Sequence, residues 1–165
     1  MNEDLTISPI QNEYASPVVD LILNIQQNEF NVPITLEDQP DLLAIKEFYY
    51  ATGGCFWGAF IDQQLIGTIA VIKFGERSGA IRKMFVKQEF RGKELSVAQK
   101  LLDTLLEYGR KNGIENLYLG TVTVLKAALR FYERNGFTPI AKEELPQDFP
   151  LMSADTVFRQ LTLIK

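Results

Sequence analysis

The stretch Arg91 to Leu102 has the residue types of a phosphate-binding turn that leads into a helix. It reads RGKELSVAQKLL and begins with Arg91, Gly92 and Lys93 in a row. The first backbone N–H groups of a helix have no partner within it, and together with the helix dipole they attract a phosphate or pyrophosphate. Gly92 permits a close backbone approach, and the two cations add positive charge. The stretch therefore predicts an anion-binding turn.

The same residues also suit an ordinary helix start. Ser96 and Gln99 have the spacing of a capping box, in which the serine oxygen accepts a backbone N–H and the glutamine side chain reaches back. Exposed arginine and lysine are common on protein surfaces. The stretch by itself leaves both interpretations open.

The residues that are missing restrict the chemistry. The chain has no histidine and one cysteine, Cys55. It therefore lacks the usual zinc ligands, and we expect no metal. Mechanisms in which an imidazole activates a serine or cysteine are excluded as well. Any proton transfer must use a carboxylate, a tyrosine, a lysine or water.

Charge and composition restrict the partners. The formal net charge is -4, and no segment concentrates lysine and arginine as nucleic acid or an anionic membrane would require. The first residues have neither the basic flank nor the hydrophobic core that a signal sequence needs, and no apolar run approaches 18 residues. We expect a cytoplasmic protein, a monomer or homodimer, that acts on a small molecule or peptide. The length of 165 residues predicts one domain, 1–165.

Hydrophobic periodicity and turn residues predict the elements that must position the opening stretch. Two helices precede three antiparallel strands, and a helix, a strand, a further helix and two last strands follow. The third strand, AIRKMFV, and the next one, ENLYLGT, are joined by a helix, so a right-handed crossover can place them parallel. The predicted ranges are helices from Ser16 to about Glu29, from about Asp38 to Thr52, from Lys93 to Gly113 and from about Thr123 to Arg134, with strands in 55–86, 115–121, 137–141 and 155–163.

A second motif, AALRFYERNGF, occupies Ala127–Phe137. Together with IRKMFV and KQEFRGK upstream, it resembles the GNAT acetyltransferases in order and spacing. That family has a coenzyme loop usually written Gln/Arg-x-x-Gly-x-Gly/Ala, and its second signature carries Phe/Leu-Tyr-Glu-Lys/Arg-x-Gly-Phe on an Ala-containing helix. The resemblance is strong over residues 80–138, and the element order extends it over nearly the whole chain.

The resemblance implies an α+β fold in which about four helices flank a mixed, mostly antiparallel twisted sheet with a splayed parallel strand pair. It also implies acetyl-coenzyme A as the acetyl donor, with its pantetheine arm in the split between those strands. The backbone of Met84, Phe85 and Val86 would pair with the arm. The pyrophosphate would be bound by the loop and helix start, at Arg91, Gly92, Lys93, Ser96, Val97 and Ala98.

The loop departs from the family pattern because Glu94 and Ser96 occupy the two glycine positions. The leucine pair that follows lies two residues further along the chain than the family places it. An insertion at Glu94 and Leu95 accounts for both departures and leaves Ser96 and Ala98 in the small-residue positions. We therefore predict a longer variant loop. Leu125 replaces a family asparagine, and Thr121 or Thr123 is left open as its substitute.

The family resemblance implies that Tyr132 protonates the departing thiolate, a role that suits a phenol with a pKa near 10. Packing in the helix core is the alternative for this residue. The general base is open, with Glu29, Glu47 and Glu76 as candidates. The expected reaction is direct acetyl transfer to a primary amine of a small molecule or peptide. The alternative is a binding module for an acyl-coenzyme A or a peptide, without turnover.

Overall fold

The computed structural model describes residues 5–91, 96–152 and 155–163. Seven strands and four α-helices lie within them, with short 3-10 segments between. The strands are β1 (Leu5–Pro9), β2 (Cys55–Ile61), β3 (Gln64–Phe74), β4 (Ser78–Val86), β5 (Asn116–Thr121), β6 (Thr138–Ile140) and β7 (Val157–Thr162). The helices are α1 (Ala15–Leu23), α2 (Ile45–Phe48), α3 (Val97–Lys111) and α4 (Lys126–Arg134).

All seven strands form one sheet in the order β1-β2-β3-β4-β5-β7-β6. Neighbouring strands are antiparallel except β4 and β5, which are parallel. Helix α3 supplies the crossover between these two, because two-residue turns cannot connect parallel strands. The prediction of a mixed, mostly antiparallel sheet with one parallel pair is confirmed.

Helices cover both faces of the sheet. On one face, Val18, Leu21 and Ile22 of α1 pack with Ile45 of α2 and Phe56 of β2. The opposite face carries α3, whose leucines at 101, 102 and 105 are fully buried among alternate residues of the central strands. Strands buried on both faces read as continuous apolar runs. This burial explains why β2 and β3 are apolar at nearly every position.

The first predicted helix is present, although its C-terminal part changes type. Helix α1 continues into a π-helical segment, Asn24–Glu29. The second predicted helix is divided into a 3-10 segment (Pro40–Leu43), α2, and a second 3-10 segment (Tyr50–Thr52). Ala44 separates the first two with a φ of -139° and a ψ of 53°, which is not helical. Among the described residues, no helix has the length and apolar character needed to cross a membrane.

Candidate active site

A split opens in the sheet between β4 and β5. The two strands pair only at Ser78–Ala80 with Asn116–Tyr118, although β4 continues to Val86 and β5 to Thr121. A bulge in β4 accompanies this divergence, since Thr68 pairs with Phe85 but Ala70 pairs with Arg82. Beyond Ala80, the edge of β4 that faces β5 has no strand partner among the described residues.

The bulge is centred on Lys83, whose φ of 57° lies in the left-handed region. A residue other than glycine is strained at such a backbone angle, and it persists there only where the surrounding structure holds it. The buried Thr68 hydroxyl supports the bulge by donating a hydrogen bond of 2.7 Å to the Lys83 carbonyl. The strained backbone therefore lies at the point where the strands separate.

A cavity of about 510 Å³ lies between the end of β4, the start of α3 and the helix α4. Every predicted coenzyme-binding residue that the structure describes lines it, namely Met84, Phe85, Val86, Arg91, Ser96, Val97 and Ala98. Gly92 and Lys93 lie outside the described residues. The fold thus brings separate segments of the predicted site to one cavity, while their contact with a coenzyme stays a prediction.

The start of α3 does not form the capping box that the spacing of Ser96 and Gln99 allowed. Ser96 is left-handed, with a φ of 50° and a ψ of 41°, and its side chain makes no capping hydrogen bond to the helix. The Gln99 amide instead donates to Asp103 at 2.9 Å and to Asn135 at 2.8 Å. The capping box does not form because the contact with Asn135, at the end of α4, holds the glutamine away from the helix start.

Arg91 is engaged within the protein. Its Nε donates to the Val86 carbonyl at 2.8 Å, and both terminal nitrogens contact the Glu29 carboxylate. The guanidinium carbon lies 5.8 Å from the centroid of the Phe30 ring. This ion pair ties the π-helical segment to the end of β4, and Glu29 offsets the positive charge that the sequence suggested for a phosphate.

A second cavity of about 120 Å³ lies in the split itself. It shares Met84, Phe85, Leu125 and Ala128 with the larger cavity, so the two adjoin. Tyr132 lines the smaller cavity and is only 6% exposed. Its hydroxyl makes no hydrogen bond to any described residue, and burial raises the pKa of the phenol. Tyr132 is therefore protonated at neutral pH, and it lies one helical turn after Ala128, which borders both cavities at their junction.

The two cavities bear on which threonine, Thr121 or Thr123, could substitute for the asparagine that Leu125 replaces. Leu125 lines both of them, so an apolar side chain stands where the family resemblance implies an asparagine. Thr121 lines the smaller cavity, whereas Thr123 lines neither of the two. Of the two threonines, Thr121 is the one placed beside the split.

Three charged residues of the smaller cavity, Arg82, Lys83 and Asp155, were not predicted as site residues from the sequence. Arg82 and Asp155 both line it, yet no ion pair joins them. The Arg82 Nε is buried without a hydrogen-bond partner among the described residues. Burial raises the pKa of the Asp155 carboxyl, against the opposing charges of Arg82 and Lys83. Two adjacent cationic residues in the otherwise apolar strand AIRKMFV were a sequence signal for Arg82. Asp155 belongs to no motif.

The three glutamates proposed as bases lie elsewhere. Glu29 is in the ion pair with Arg91. Glu47 accepts hydrogen bonds from the Asn12 side chain, and Glu76 is exposed in the turn before β4. None of the three lines either cavity, whereas Asp155 is the carboxylate that lines the smaller one.

A buried polar network surrounds the Lys83 ammonium. The Lys83 ammonium donates to the Gln39 side-chain oxygen at 2.5 Å and lies 3.7 Å from the Asp41 carboxylate. The Tyr49 hydroxyl donates to Asp41 at 2.5 Å. Burial lowers the pKa of Lys83 to about 8, although the Asp41 charge opposes this change. Tyr49 is therefore part of the interior network, and it lines neither cavity.

The sequence model of the acetyltransferase (GNAT) family matches residues 19–137. A solved acetyltransferase of the GNAT family from Staphylococcus aureus Mu50 is 36% identical, with a TM-score of 0.94 over 98% of this chain and 100% of that one. An N-acetyltransferase from Thermoplasma acidophilum, solved in complex with coenzyme A, has a TM-score of 0.72 at 16% identity and covers 96% of this chain and 99% of that one. The second likeness is one of fold alone.

Curated relatives share part of their length with this chain. The N-acetylaspartate synthetase of Danio rerio is 32% identical over 106 residues, which are 63% of this chain and 37% of that protein. A probable N-acetyltransferase, camello, of Xenopus tropicalis is 29% identical over 64% of this chain and 49% of that protein. The matched regions thus amount to less than half of these curated relatives.

Proposed function

The chain belongs to the acetyltransferase (GNAT) family, and on that premise we propose that it moves an acetyl group from acetyl-coenzyme A to a primary amine. The amine belongs to a small molecule or peptide, and the transfer is direct, within one ternary complex. The observation that carries this proposal is the junction of the two cavities in the split, with Tyr132 lining the smaller one.

The larger cavity suits the coenzyme arm. The edge of β4 beyond Ala80 offers backbone groups without a strand partner, so Met84–Val86 would pair with an amide-containing arm as an added strand does. The first amides of α3, at Val97 and Ala98, border the same cavity and favour a pyrophosphate. The complex of the Thermoplasma acidophilum N-acetyltransferase with coenzyme A supports this use of the fold.

The residues around the junction have separate roles in the proposed transfer. Acetyl-coenzyme A supplies an activated carbonyl carbon and a thiolate leaving group. A bulge N–H, at Met84 or Phe85, would polarise the carbonyl oxygen. Tyr132 would give its phenolic proton to the thiolate, and Asp155 would accept the proton that the acceptor ammonium must lose. Holding both reactants at the junction removes the need for a covalent intermediate on the enzyme.

One assay tests this function. Release of free thiol from acetyl-coenzyme A is followed across amines, polyamines, amino acids and peptides, and at least one acceptor is expected to accelerate it. The rival is a binding module without turnover, which the replacement of the motif's asparagine by Leu125 favours. Coenzyme binding measured by calorimetry, without thiol release from any amine, would support that rival.

The site of the phosphates is tested at Ser96. A phenylalanine there narrows the larger cavity, so we expect the dissociation constant of coenzyme A to rise about tenfold, equivalent to about 1.4 kcal/mol. Calorimetric titration measures this change, and thermal unfolding is recorded in parallel. Lys100→Phe, on the exposed side of α3, is the matched control. A fall in melting temperature with unchanged coenzyme affinity would instead give Ser96 a purely structural role.

A further inference from the structure

The charged residues of the smaller cavity indicate which group the acceptor carries in addition to its amine. Resting on the proposed acetyl transfer, we propose that the acceptor is a small amino acid whose carboxylate binds Arg82 and whose ammonium group faces Asp155. Both residues line the 120 Å³ cavity between the separated strands. Arg82 is thereby assigned as a specificity-determining residue.

Arg82 lines this cavity and has unused hydrogen-bonding capacity. Its Nε is buried, and its guanidinium donates no hydrogen bond to a described residue. An unsatisfied buried donor is costly, and a carboxylate is the partner whose two oxygens match the arginine fork. A ligand carboxylate would therefore complete an interaction that the described protein leaves open.

Lys83 does not compete for that carboxylate. Lys83 also lines the cavity, but its ammonium is engaged by the Gln39 side-chain oxygen and by the Asp41 carboxylate, 3.7 Å away. The charge of Lys83 is thus balanced inside the protein. Arg82 is left as the cation of the cavity that has no ion-pair partner within 4.0 Å in the described part of the chain.

Asp155 supplies the opposite charge. It lines the same cavity, and Gly120 makes room for it, because a Cβ at residue 120 would overlap the Asp155 Oδ2. Asp155 and Arg82 remain unpaired with each other although they share one small space. An acceptor with an ammonium and a carboxylate close together would pair with both, whereas a polyamine would set a second cation against Arg82.

Matched substrates test the proposal. Thiol release is measured with glycine, L-alanine and β-alanine, and with glycinamide, L-alaninamide and β-alaninamide, which keep the amine but lose the carboxylate. Rates are compared per concentration of neutral amine. We expect kcat/KM to be about 10- to 100-fold higher for the acids, the range of a charge-assisted, two-pronged contact.

Two arginine variants locate that preference. In Arg82→Gln, the KM of the acids should rise until their kcat/KM no longer exceeds that of the amides. Coenzyme affinity should be unchanged, which also shows that the variant is folded. Arg82→Lys keeps the positive charge but lacks the paired N–H donors of the guanidinium, so it should retain part of the preference for the acids. Arg77→Gln is the control. Arg77 precedes β4 and forms an exposed ion pair with Glu115, so this variant should keep the full preference for the acids.

The outcomes separate this inference from the proposed function. If amides or peptide N-termini react as well as acids, the amino-acid inference is overturned and acetyl transfer stands. If no amine releases thiol, acetyl transfer is overturned, and calorimetry with L-alanine and β-alanine decides the carboxylate site. Binding that disappears in Arg82→Gln would then support the site, and no binding to the unmodified protein would overturn it.

Discussion

Replacing Tyr132 by phenylalanine is expected to lower kcat about 100-fold, the scale of general acid catalysis by a positioned side chain. The phenol lines the smaller cavity and makes no hydrogen bond to a described residue, so its removal breaks no described internal contact. Coenzyme affinity and the melting temperature should therefore stay close to those of the unmodified protein. Steady-state kinetics and calorimetry measure the two effects separately.

The pH dependence gives an independent check on Tyr132. A general acid must be protonated, and burial raises the pKa of this phenol above its ordinary value of 10.0. Loss of activity through ionisation of Tyr132 should consequently begin only above about pH 10. Tyr118→Phe, on β5 and outside both cavities, is the control and should keep its rate. An unchanged kcat in Tyr132→Phe would leave the residue as core packing only.

Replacing Lys83 by methionine is expected to lower the free energy of unfolding by about 3 kcal/mol at neutral pH. The Lys83 side chain is 4% exposed and Asp41 is 7% exposed, so the substitution leaves a buried carboxylate without its cation. The loss also removes the hydrogen bond to Gln39. Denaturant unfolding, with the midpoint and slope fitted together, measures the change.

Asp41 provides the matched test of that explanation. In the double variant Lys83→Met and Asp41→Asn, the uncompensated charge is gone, while the amide oxygen can still accept from the Tyr49 hydroxyl. The double variant should therefore be more stable than Lys83→Met alone. Equal losses in the single and double variants would assign the cost to packing rather than to charge.

The stability of the unmodified protein should rise with pH through the titration of Lys83. Burial lowers its pKa from 10.5 to about 8, so between these values the unfolded chain binds a proton that the folded chain does not. Stability then increases with pH, by about 1.4 kcal/mol per pH unit at most, or about 2 kcal/mol between about pH 8 and pH 9.5. Lys83→Met should lose this rise.

The measurement belongs below about pH 10 because the tyrosines act in the opposite direction. Burial raises the pKa of Tyr49 and Tyr132, so their unfolded forms lose protons first and stability falls at higher pH. A flat profile from about pH 8 to pH 9.5 in the unmodified protein would contradict the lowered pKa of Lys83.

Most of the architecture could be predicted because its signals are local. Three apolar runs separated by turn residues predicted β2, β3 and β4, and one amphipathic stripe predicted α3. Glycines marked the helix ends, where Gly113 and Gly136 adopt φ values of 77° and 90°. β1 was missed because it is a short, mostly exposed edge strand, and its pairing with β2 joins distant parts of the chain.

The site was predicted unevenly for the same reason. The residues of the loop and of β4 follow one another in the sequence, so a family resemblance could identify them together. Arg82 and Asp155 line one cavity only because β4 and β5 separate and the segment before β7 lies beside the end of β5, where the Thr156 N–H donates to the Thr121 carbonyl. No spacing rule relates these two positions, and neither belongs to the residues that the family motif names.

The amino-acid sequence by itself determined the fold class, the family and the candidate coenzyme surface, since periodic burial and contiguous motifs are written in neighbouring residues. Tertiary structure decided which charges remain available. It paired Arg91 with Glu29 and Lys83 with Asp41, and it left Arg82 and Asp155 unpaired in one cavity. The physical reason is that a charge is balanced by whatever the fold brings near it, and that partner can lie anywhere along the chain.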